Sequence, residues 1–177
     1  ASNYHGIWIE NTSAYFVIRN CLVEDGGASY YGIYLENVIN GRIENNTCSN
    51  NYNGISLDYS YYTTLDNNTC EYNSSCGIYL EASTNNTLGN NTCESNYGDE
   101  DGAGIYLSSS SDYNILDNNT CVWNSWGIYL ESSSNNTISN NNCSFQWGWH
   151  AGYGIYLSSS DNNILDSNTC ENLLLQG

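Results

Sequence analysis

Cysteine is the residue type in this chain best placed to do chemistry, because six of its eight copies recur at one position of a short motif. Each of the six lies five residues after the Ile or Leu of an Ile/Leu-x-Asn element, whose last copy has Ser in place of Asn: Cys48, Cys70, Cys93, Cys121, Cys143 and Cys170. Thiols pair as disulfides, bind metals or lie buried as small apolar groups. No Cys-x-x-Cys pair and no Cys/His cluster accompanies them, so we predict no metal site.

The other two cysteines fall outside that register. Cys21 follows Asn20 directly, and Cys76 immediately precedes Gly77. We predict that both are either free surface thiols or bonded to another molecule. The specific hypothesis is that at least one of them forms a disulfide between subunits.

The acidic residues follow a repeat instead of gathering in one place. Five of them lie two residues after an aromatic residue or a serine: Glu10, Glu36, Asp58, Glu81 and Glu131. Glycoside hydrolases need a pair of carboxylates in one cleft, and the two histidines, His5 and His150, fall near opposite ends of the chain. We therefore predict no catalytic residue and no enzymatic activity. Like charges on adjacent strands repel each other, so bound calcium would relieve this column; we otherwise expect no cofactor.

Charge and composition exclude several partners. The chain has 177 residues, no lysine and a net charge of −17, with Arg19 and Arg42 as its two basic side chains. A nucleic-acid partner is excluded because phosphate contacts need a basic face, and a polyanionic sugar is disfavoured for the same reason. No apolar run approaches the roughly 18 to 20 residues of a membrane helix, so we predict no membrane insertion.

The elements that position these residues form an internal repeat. A Gly-Ile-Tyr-Leu element recurs, with variations, at intervals of 22 to 27 residues, starting at Gly6, Gly32, Gly54, Gly77, Gly104, Gly127 and Gly154. Within each unit apolar residues alternate with polar ones, which indicates short strands, and the 31 asparagines disfavour helices. Strands this short with this period predict an all-β fold, a parallel β-helix of about seven coils forming a single domain over residues 1–177.

The repeat resembles a known family. Residues 85–92, Asn-Asn-Thr-Leu-Gly-Asn-Asn-Thr, and residues 104–110, Gly-Ile-Tyr-Leu-Ser-Ser-Ser, are similar to the right-handed parallel β-helix repeats of archaeal surface proteins. The same repeat occurs in the carbohydrate-binding and sugar-hydrolase domain family. The resemblance covers essentially the whole chain and implies a right-handed coil. It implies less about function, because this scaffold hosts lyases, hydrolases, adhesins and structural proteins.

In such a coil, equivalent residues stack into columns about 4.8 Å apart. Four asparagines two residues after an inward Ile or Leu predict an internal amide ladder: Asn45, Asn67, Asn90 and Asn118. The six cysteines of the motif predict an interior column whose neighbours pair as disulfides, for example Cys48–Cys70, Cys93–Cys121 and Cys143–Cys170. The opposite pairing phase and six unpaired buried thiols remain the alternatives.

Two features are predicted on the outside of the coil. The first is an aromatic column made of Trp8, Tyr34, Tyr79, Tyr106, Tyr129 and Tyr156, interrupted at Ser56. Exposed aromatic stripes mark binding or assembly surfaces. The second is a set of glycosylation sequons, for which the accessible candidates are Asn11, Asn73, Asn85, Asn135 and Asn142.

These features together predict an extracellular, cell-surface structural protein. Neither end shows a polar capping helix, and Leu173, Leu174 and Leu175 form an apolar tail without an evident partner. Uncapped strand edges pair with other chains, so we expect the protein to associate with itself into a sheath, filament or layer. The alternative is a glycan-binding surface module or adhesin that uses the aromatic column. A polysaccharide lyase or hydrolase is the less favoured interpretation.

Overall fold

The computed structural model describes residues 4–97, 102–148, 152–172 and 174–175. In it the chain winds as a right-handed parallel β-helix, which confirms the predicted fold class. Two of its sheets are seven strands deep, so the chain makes about six full turns between its first and last strands. Among the described residues the one helical segment is a 3₁₀ turn at Gly27–Ser29, and no helix there is long and apolar enough to cross a membrane.

Three sheets form the walls of the coil. Sheet A comprises β1 (Ile7–Thr12), β4 (Ile33–Val38), β7 (Ile55–Asp58), β10 (Ile78–Glu81), β13 (Ala103–Ser108), β16 (Trp126–Glu131) and β19 (Tyr153–Ser158). Sheet B comprises β2 (Phe16–Arg19), β5 (Gly41–Glu44), β8 (Thr64–Asp66), β11 (Thr87–Gly89), β14 (Ile115–Asp117), β17 (Thr137–Ser139) and β20 (Ile164–Asp166). Sheet C comprises β3 (Leu22–Glu24), β6 (Thr47–Ser49), β9 (Thr69–Glu71), β12 (Thr92–Glu94) and β15 (Thr120–Val122).

Strand pairing is parallel and in register throughout the coil. In sheet A, for example, Ile33 pairs with Ile55 and Leu35 with Leu57. Because side chains alternate across a strand, this register directs the Ile and Leu of sheet A into the coil and the residues between them outward. The interior Ile and Leu of the central coils have no solvent exposure. The alternation in the sequence therefore determines which face of each strand is core.

The cysteine column lies inside the coil, as predicted. Cys48, Cys70, Cys93 and Cys121 are register partners in sheet C and are fully buried. They pack against the glycines that open the strands of sheet A: a Cβ on Gly77 would lie 2.9 Å from the Cβ of Cys93 and 2.7 Å from the carbonyl oxygen of Gly104. Glycine is thus required there by the close approach of two coils and a thiol.

The predicted disulfides are wrong. All eight cysteines lie in the described ranges, and no disulfide joins any of them. In-register neighbours on parallel strands have parallel Cα–Cβ vectors, so their Cβ atoms stay about 4.8 Å apart, the strand spacing. A disulfide needs Cβ atoms about 3.5 to 4.5 Å apart. The alternative of a buried thiol column is the one observed.

The two cysteines outside the column occupy different environments. Cys21 is half-buried, and its thiol donates a hydrogen bond to the carbonyl oxygen of Arg19, at 3.4 Å. Cys76 is only 2% exposed and packs with Ala103 and Tyr129 under the aromatic column. The prediction of a surface thiol at Cys76 is therefore wrong, because the side chain fills a corner against sheet A.

The internal amide ladder exists, but it lies one residue later than predicted. Asn45, Asn67, Asn90 and Asn118 are exposed and have a left-handed backbone, with φ between 54° and 56°. The buried ladder is formed by the asparagines that follow them, Asn46, Asn68, Asn91 and Asn119, and continues in Asn141. The left-handed residue turns the chain at the corner, which points the next side chain inward.

Each rung of this ladder is fully hydrogen-bonded. The side-chain oxygen of Asn91 accepts from the backbone nitrogen and from the Nδ2 of Asn68, both at 3.0 Å. Its Nδ2 donates to the carbonyl oxygen of Leu65 and to the Oδ1 of Asn119. This pairing makes a buried polar column tolerable, because the donors and acceptors of each amide are hydrogen-bonded to neighbouring groups.

The C-terminal tail also departs from its prediction. Leu174 and Leu175 form β21 (Leu174–Leu175), which pairs in parallel with β18 (Trp147–Gly148). The apolar tail was predicted to have no partner in the chain, and this pairing gives its backbone one. Leu173 lies outside the described residues.

Candidate functional site

The outer face of sheet A carries the predicted aromatic column. Trp8 pairs with Tyr34, and Tyr79, Tyr106, Tyr129 and Tyr156 continue the column in register beyond Ser56. The column is less exposed than predicted: Trp8 is 53% exposed, whereas Tyr129 is only 8% exposed. The rings cover one another, since those of Tyr106 and Tyr129 stack 4.6 Å apart. The face is therefore a packed aromatic surface, not a row of separate side chains.

Tyrosine hydroxyls on this face reach one coil further along the axis. Tyr34 donates to Oδ2 of Asp58 at 2.8 Å, and Tyr106 donates to Oε2 of Glu131 at 2.6 Å. The hydroxyl of Tyr79 lies 2.9 Å from that of Ser108. These diagonal hydrogen bonds tie the aromatic column to the acidic column beside it. Asp58 and Glu131 are thus each held by a tyrosine of the preceding coil.

Asp58 is the most unusual of the acidic residues. It is half-buried, and its Oδ1 lies out of contact with solvent and without a hydrogen-bond partner among the described residues. Burial and the neighbouring carboxylates of Glu81 and Glu36 raise the pKa of Asp58 to about 6, although the hydrogen bond from Tyr34 opposes this shift. Asp58 can therefore hold a proton near neutral pH, as a general acid must.

An aromatic group at the N-terminal coil surrounds Tyr34, the hydrogen-bond partner of Asp58. His5 stacks on Tyr31 with ring centroids 4.9 Å apart, and its centroid lies 5.1 Å from that of Tyr34. Its Nδ1 accepts a hydrogen bond from the backbone nitrogen of Tyr31, at 3.1 Å, and burial lowers the pKa of His5. Burial thus disfavours the protonated form of this imidazole, which contacts Tyr34, while His150 lies outside the described residues.

The register makes three acidic residues of sheet A neighbours on adjacent strands. Asp58 pairs with Glu36 on one side and with Glu81 on the other, so neighbouring Cα atoms are about 4.8 Å apart. Retaining glycoside hydrolases hold their two carboxyl groups about 5 to 5.5 Å apart. The acidic residues therefore stack as neighbours in one column, and the prediction that none of them is catalytic stays a prediction.

The signal for this site was present in the sequence. Ser56 is the one serine in a column of aromatic residues, and Asp58 follows it by two positions. The small Ser56 side chain leaves room for Tyr34, its register partner, to lean across the coil toward Asp58. An exception in an otherwise regular column of side chains therefore indicates a position where the local structure departs from the repeat.

The basic residues lie away from this face. Arg42, on sheet B, forms ion pairs with Glu44 and, at 3.7 Å, with Asp66. Within the described ranges no group of three or more His, Cys, Asp or Glu side chains is arranged to hold a metal ion. Calcium binding and self-association stay predictions.

The sequon asparagines divide by exposure. Asn11, Asn85 and Asn142 are exposed, and Asn135 is half-exposed. Asn73 is only 1% exposed and belongs to a second buried amide ladder, in which it bonds Asn96. It is therefore not an accessible acceptor in the folded protein, contrary to the prediction.

Comparison with known proteins identifies the scaffold. A family model described as "Right handed beta helix region" matches residues 1–124, and a second, "Periplasmic copper-binding protein (NosD)", matches residues 89–173. No curated protein is similar enough in sequence to count as a relative.

Three solved structures are similar over most of this chain. A point mutant of the periplasmic alginate epimerase AlgG is 21% identical with a TM-score of 0.76, covering 93% of this chain and 42% of its own. The A-module of the mannuronan C-5 epimerase AlgE6 from Azotobacter vinelandii is 18% identical with a TM-score of 0.68, covering 85% and 41%. An alginate lyase from Paenibacillus sp. is 16% identical with a TM-score of 0.65, covering 94% and 67%. The chain thus spans about two fifths of the length of either epimerase.

These comparisons correct two predictions. The similar structures are polysaccharide epimerases and a lyase, which contradicts both the assignment as a self-assembling structural protein and the absence of enzymatic activity. Columns of like charge are a general consequence of stacking a repeat, and a scaffold of this kind hosts unrelated functions. Neither an archaeal origin nor a surface-fibre role is supported.

Proposed function

Because the chain belongs to the right-handed beta helix family, we propose that it is a carbohydrate-active enzyme that hydrolyses a polysaccharide on the outer face of sheet A. The observation that carries this proposal is Asp58, a half-buried carboxyl with a raised pKa between two register-paired carboxylates. The enzymatic character of the similar structures supports it.

The roles follow from the contacts. Asp58 is the general acid that protonates the departing glycosidic oxygen, and Tyr34 positions its carboxyl group by donating a hydrogen bond to Oδ2. Glu81 is the nucleophile, because its carboxylate is one register step away and accepts a hydrogen bond from Tyr79 at 3.4 Å. Water then releases the sugar from Glu81, and Asp58 takes the proton of that water.

Substrate charge is part of the proposal. The chain carries a net charge of −17, and both of its arginines lie on sheet B, away from the site. A polyanion would meet repulsion at the acidic column without a cation to offset it. We therefore assign an uncharged polysaccharide, whose sugar rings stack on the aromatic column.

The test is a panel of neutral and uronate polysaccharides incubated with the whole chain, with reducing ends and unsaturated uronate products measured separately. We expect new reducing ends from a neutral polymer, loss of at least a hundredfold in Asp58→Asn and in Glu81→Gln, and little change in Glu10→Gln, an exposed member of the same column. Unsaturated products from a uronate polymer, or full activity in Asp58→Asn, would contradict the assignment.

A location outside the cytoplasm belongs to the same proposal. One matching family and one similar epimerase are described as periplasmic. An enzyme that acts on polymers too large to enter a cell also works outside the cell. We place the chain at the cell surface, with Asn11, Asn85, Asn135 and Asn142 as its accessible acceptors. The mass of native material before and after enzymatic deglycosylation checks these sites.

A further inference from the structure

The exposed asparagines at the corner between sheets B and C begin glycosylation sequons in four successive coils. Each is followed by a buried asparagine of the amide ladder and then by the threonine that opens a strand of sheet C. The four triplets are Asn45-Asn46-Thr47, Asn67-Asn68-Thr69, Asn90-Asn91-Thr92 and Asn118-Asn119-Thr120. An Asn-x-Thr triplet accepts an N-linked glycan where its asparagine lies on the surface of an exported protein.

The backbone conformation alone does not require asparagine at this corner. At the corner between sheets C and A, Tyr72 and Trp123 have the same left-handed backbone, with φ of 55° and 57°. At the corner between sheets B and C, six of the seven left-handed residues are asparagine: Asn20, Asn45, Asn67, Asn90, Asn118 and Asn140, with Ser167 as the exception. The amide side chain therefore has a role there beyond permitting the turn.

One such role is a second, exposed set of hydrogen bonds between coils. Nδ2 of Asn67 donates to Oδ1 of Asn45 at 2.6 Å, and Nδ2 of Asn118 donates to Oδ1 of Asn90 at 2.7 Å. A side-chain amide has two N–H donors, so each of these bonds uses one of them. The second N–H stays available for a sugar, and the hydrogen bond to the adjacent coil persists after the sugar is attached.

We propose that the four exposed asparagines form a column of N-glycan acceptors along the corner between sheets B and C: Asn45, Asn67, Asn90 and Asn118. The proposal rests on the proposed location outside the cytoplasm and not on hydrolysis at Asp58. In the reaction, Nδ2 bonds to the anomeric carbon of a glycosyl diphosphate, the bond from that carbon to the diphosphate breaks, and one amide proton passes to solvent.

The position of the column has two consequences. Sheet A takes no part in this corner, so glycans here leave the aromatic column and Asp58 open to substrate. Adjacent acceptors are one coil, about 4.8 Å, apart, and a glycan is bulky, so an occupied acceptor hinders the next one.

Two coils keep the corner but lack the sequon. Asn20 and Asn140 are exposed and left-handed, with φ of 56° and 55°. Leu22 and Asn142, however, occupy the position that threonine holds in the four coils between them. An amide ladder that serves only the fold needs the asparagine alone, whereas a glycan acceptor also needs the threonine. These two coils are therefore internal controls.

The test is secretion of the full chain from a eukaryotic cell that N-glycosylates its exported proteins, which fixes the compartment. Chymotryptic peptides, deglycosylated enzymatically in heavy-oxygen water, then report each occupied asparagine by mass spectrometry. We expect glycan on about half of the four acceptors in each chain because of crowding, and none at Asn20, Asn140 or the buried Asn73.

Four bare acceptors overturn the proposal, and glycan at Asn11 in the same sample would show that the exposed sequons outside the column still stand. Glycan at Asn20 or Asn140 would equally contradict it. Hydrolysis of a polysaccharide is measured separately, so its absence bears on Asp58 and not on the column.

Matched variants test the requirement for threonine. Thr69→Val keeps a β-branched side chain at the start of its strand but removes the hydroxyl, so it should abolish glycan at Asn67 without altering the circular dichroism spectrum. Leu22→Thr, at an exposed position, completes a sequon and should add glycan at Asn20. Unchanged occupancy of Asn67 in the first variant, or a bare Asn20 in the second, contradicts the proposal.

Discussion

Ser56 and Asp58 together set the chemistry of the outer face of sheet A. Ser56 is fully buried under neighbouring side chains, and it occupies the position that tyrosine holds in the adjacent coils. The space it leaves admits the Tyr34 hydroxyl, which encloses Asp58. Enclosure and two flanking carboxylates both penalise the ionised form of Asp58, so its pKa rises.

This environment predicts a pH-dependent stability effect. The pKa of Asp58 is raised from 3.8 to about 6, so between these values the folded chain holds a proton that the unfolded chain has lost. Asp58 therefore lowers the free energy of unfolding as pH rises through this window. We expect Asp58→Asn to be more stable than wild type at pH 8, with the advantage shrinking toward pH 5, as measured by urea denaturation.

Glu10→Gln serves as the control for this stability measurement. Glu10→Gln removes one charge from an exposed position in the same column and should change stability little at either pH. Lower stability of Asp58→Asn at pH 8 would show that the carboxylate is stabilised by contacts and not penalised by burial.

Among the structural elements, the corners between strands recur with the same backbone conformation in successive coils. A left-handed residue such as Asn67 or Asn90 precedes each buried amide of the ladder. Left-handed backbone is tolerated by asparagine better than by most other residues, and the side chain after the turn points inward. The Asn-Asn pairs of the sequence therefore contain one residue that turns the chain and one that bonds adjacent coils.

The two members of a pair should respond differently to substitution. Asn91→Ala removes four hydrogen bonds and leaves the backbone nitrogen of Asn68 unpaired in the interior, so we expect a loss of about 3 kcal/mol in the free energy of unfolding. Asn90→Gly keeps the left-handed conformation at an exposed position and should change it by less than about 1 kcal/mol. Denaturant unfolding of both variants checks this prediction. Equal losses in the free energy of unfolding would contradict the assignment of Asn91, and not Asn90, to the buried ladder.

In the whole molecule, contacts between register-paired residues of successive coils stabilise the fold, and no disulfide contributes. Its interior combines apolar columns, a thiol column and amide ladders, each of which bonds or packs one coil against the next. Stability in such a solenoid is a sum over neighbouring coils. Cysteine here acts as a small apolar residue that fits against glycine, and not as a covalent link.

Thiol accessibility tests this picture. In metal-free buffer without reductant, we expect native protein to label at two cysteines, Cys21 and Cys170, because the other six are buried. All eight should label in denaturant, and a reductant should leave the melting temperature unchanged. Fewer than eight labelled thiols in denaturant would reveal disulfides, and labelling of Cys76 in native protein would contradict its buried position.

The sequence by itself determined the coil, its all-β class and the inward columns, because a period of two within a repeat of 22 to 27 residues leaves few other ways to bury Ile and Leu. It could not determine which asparagine of each pair turns inward, since that depends on a left-handed corner, or whether thiols link, since that depends on Cβ separation. Only the tertiary structure placed Tyr34, Asp58 and Glu81 together, because residues more than twenty positions apart become neighbours through stacking.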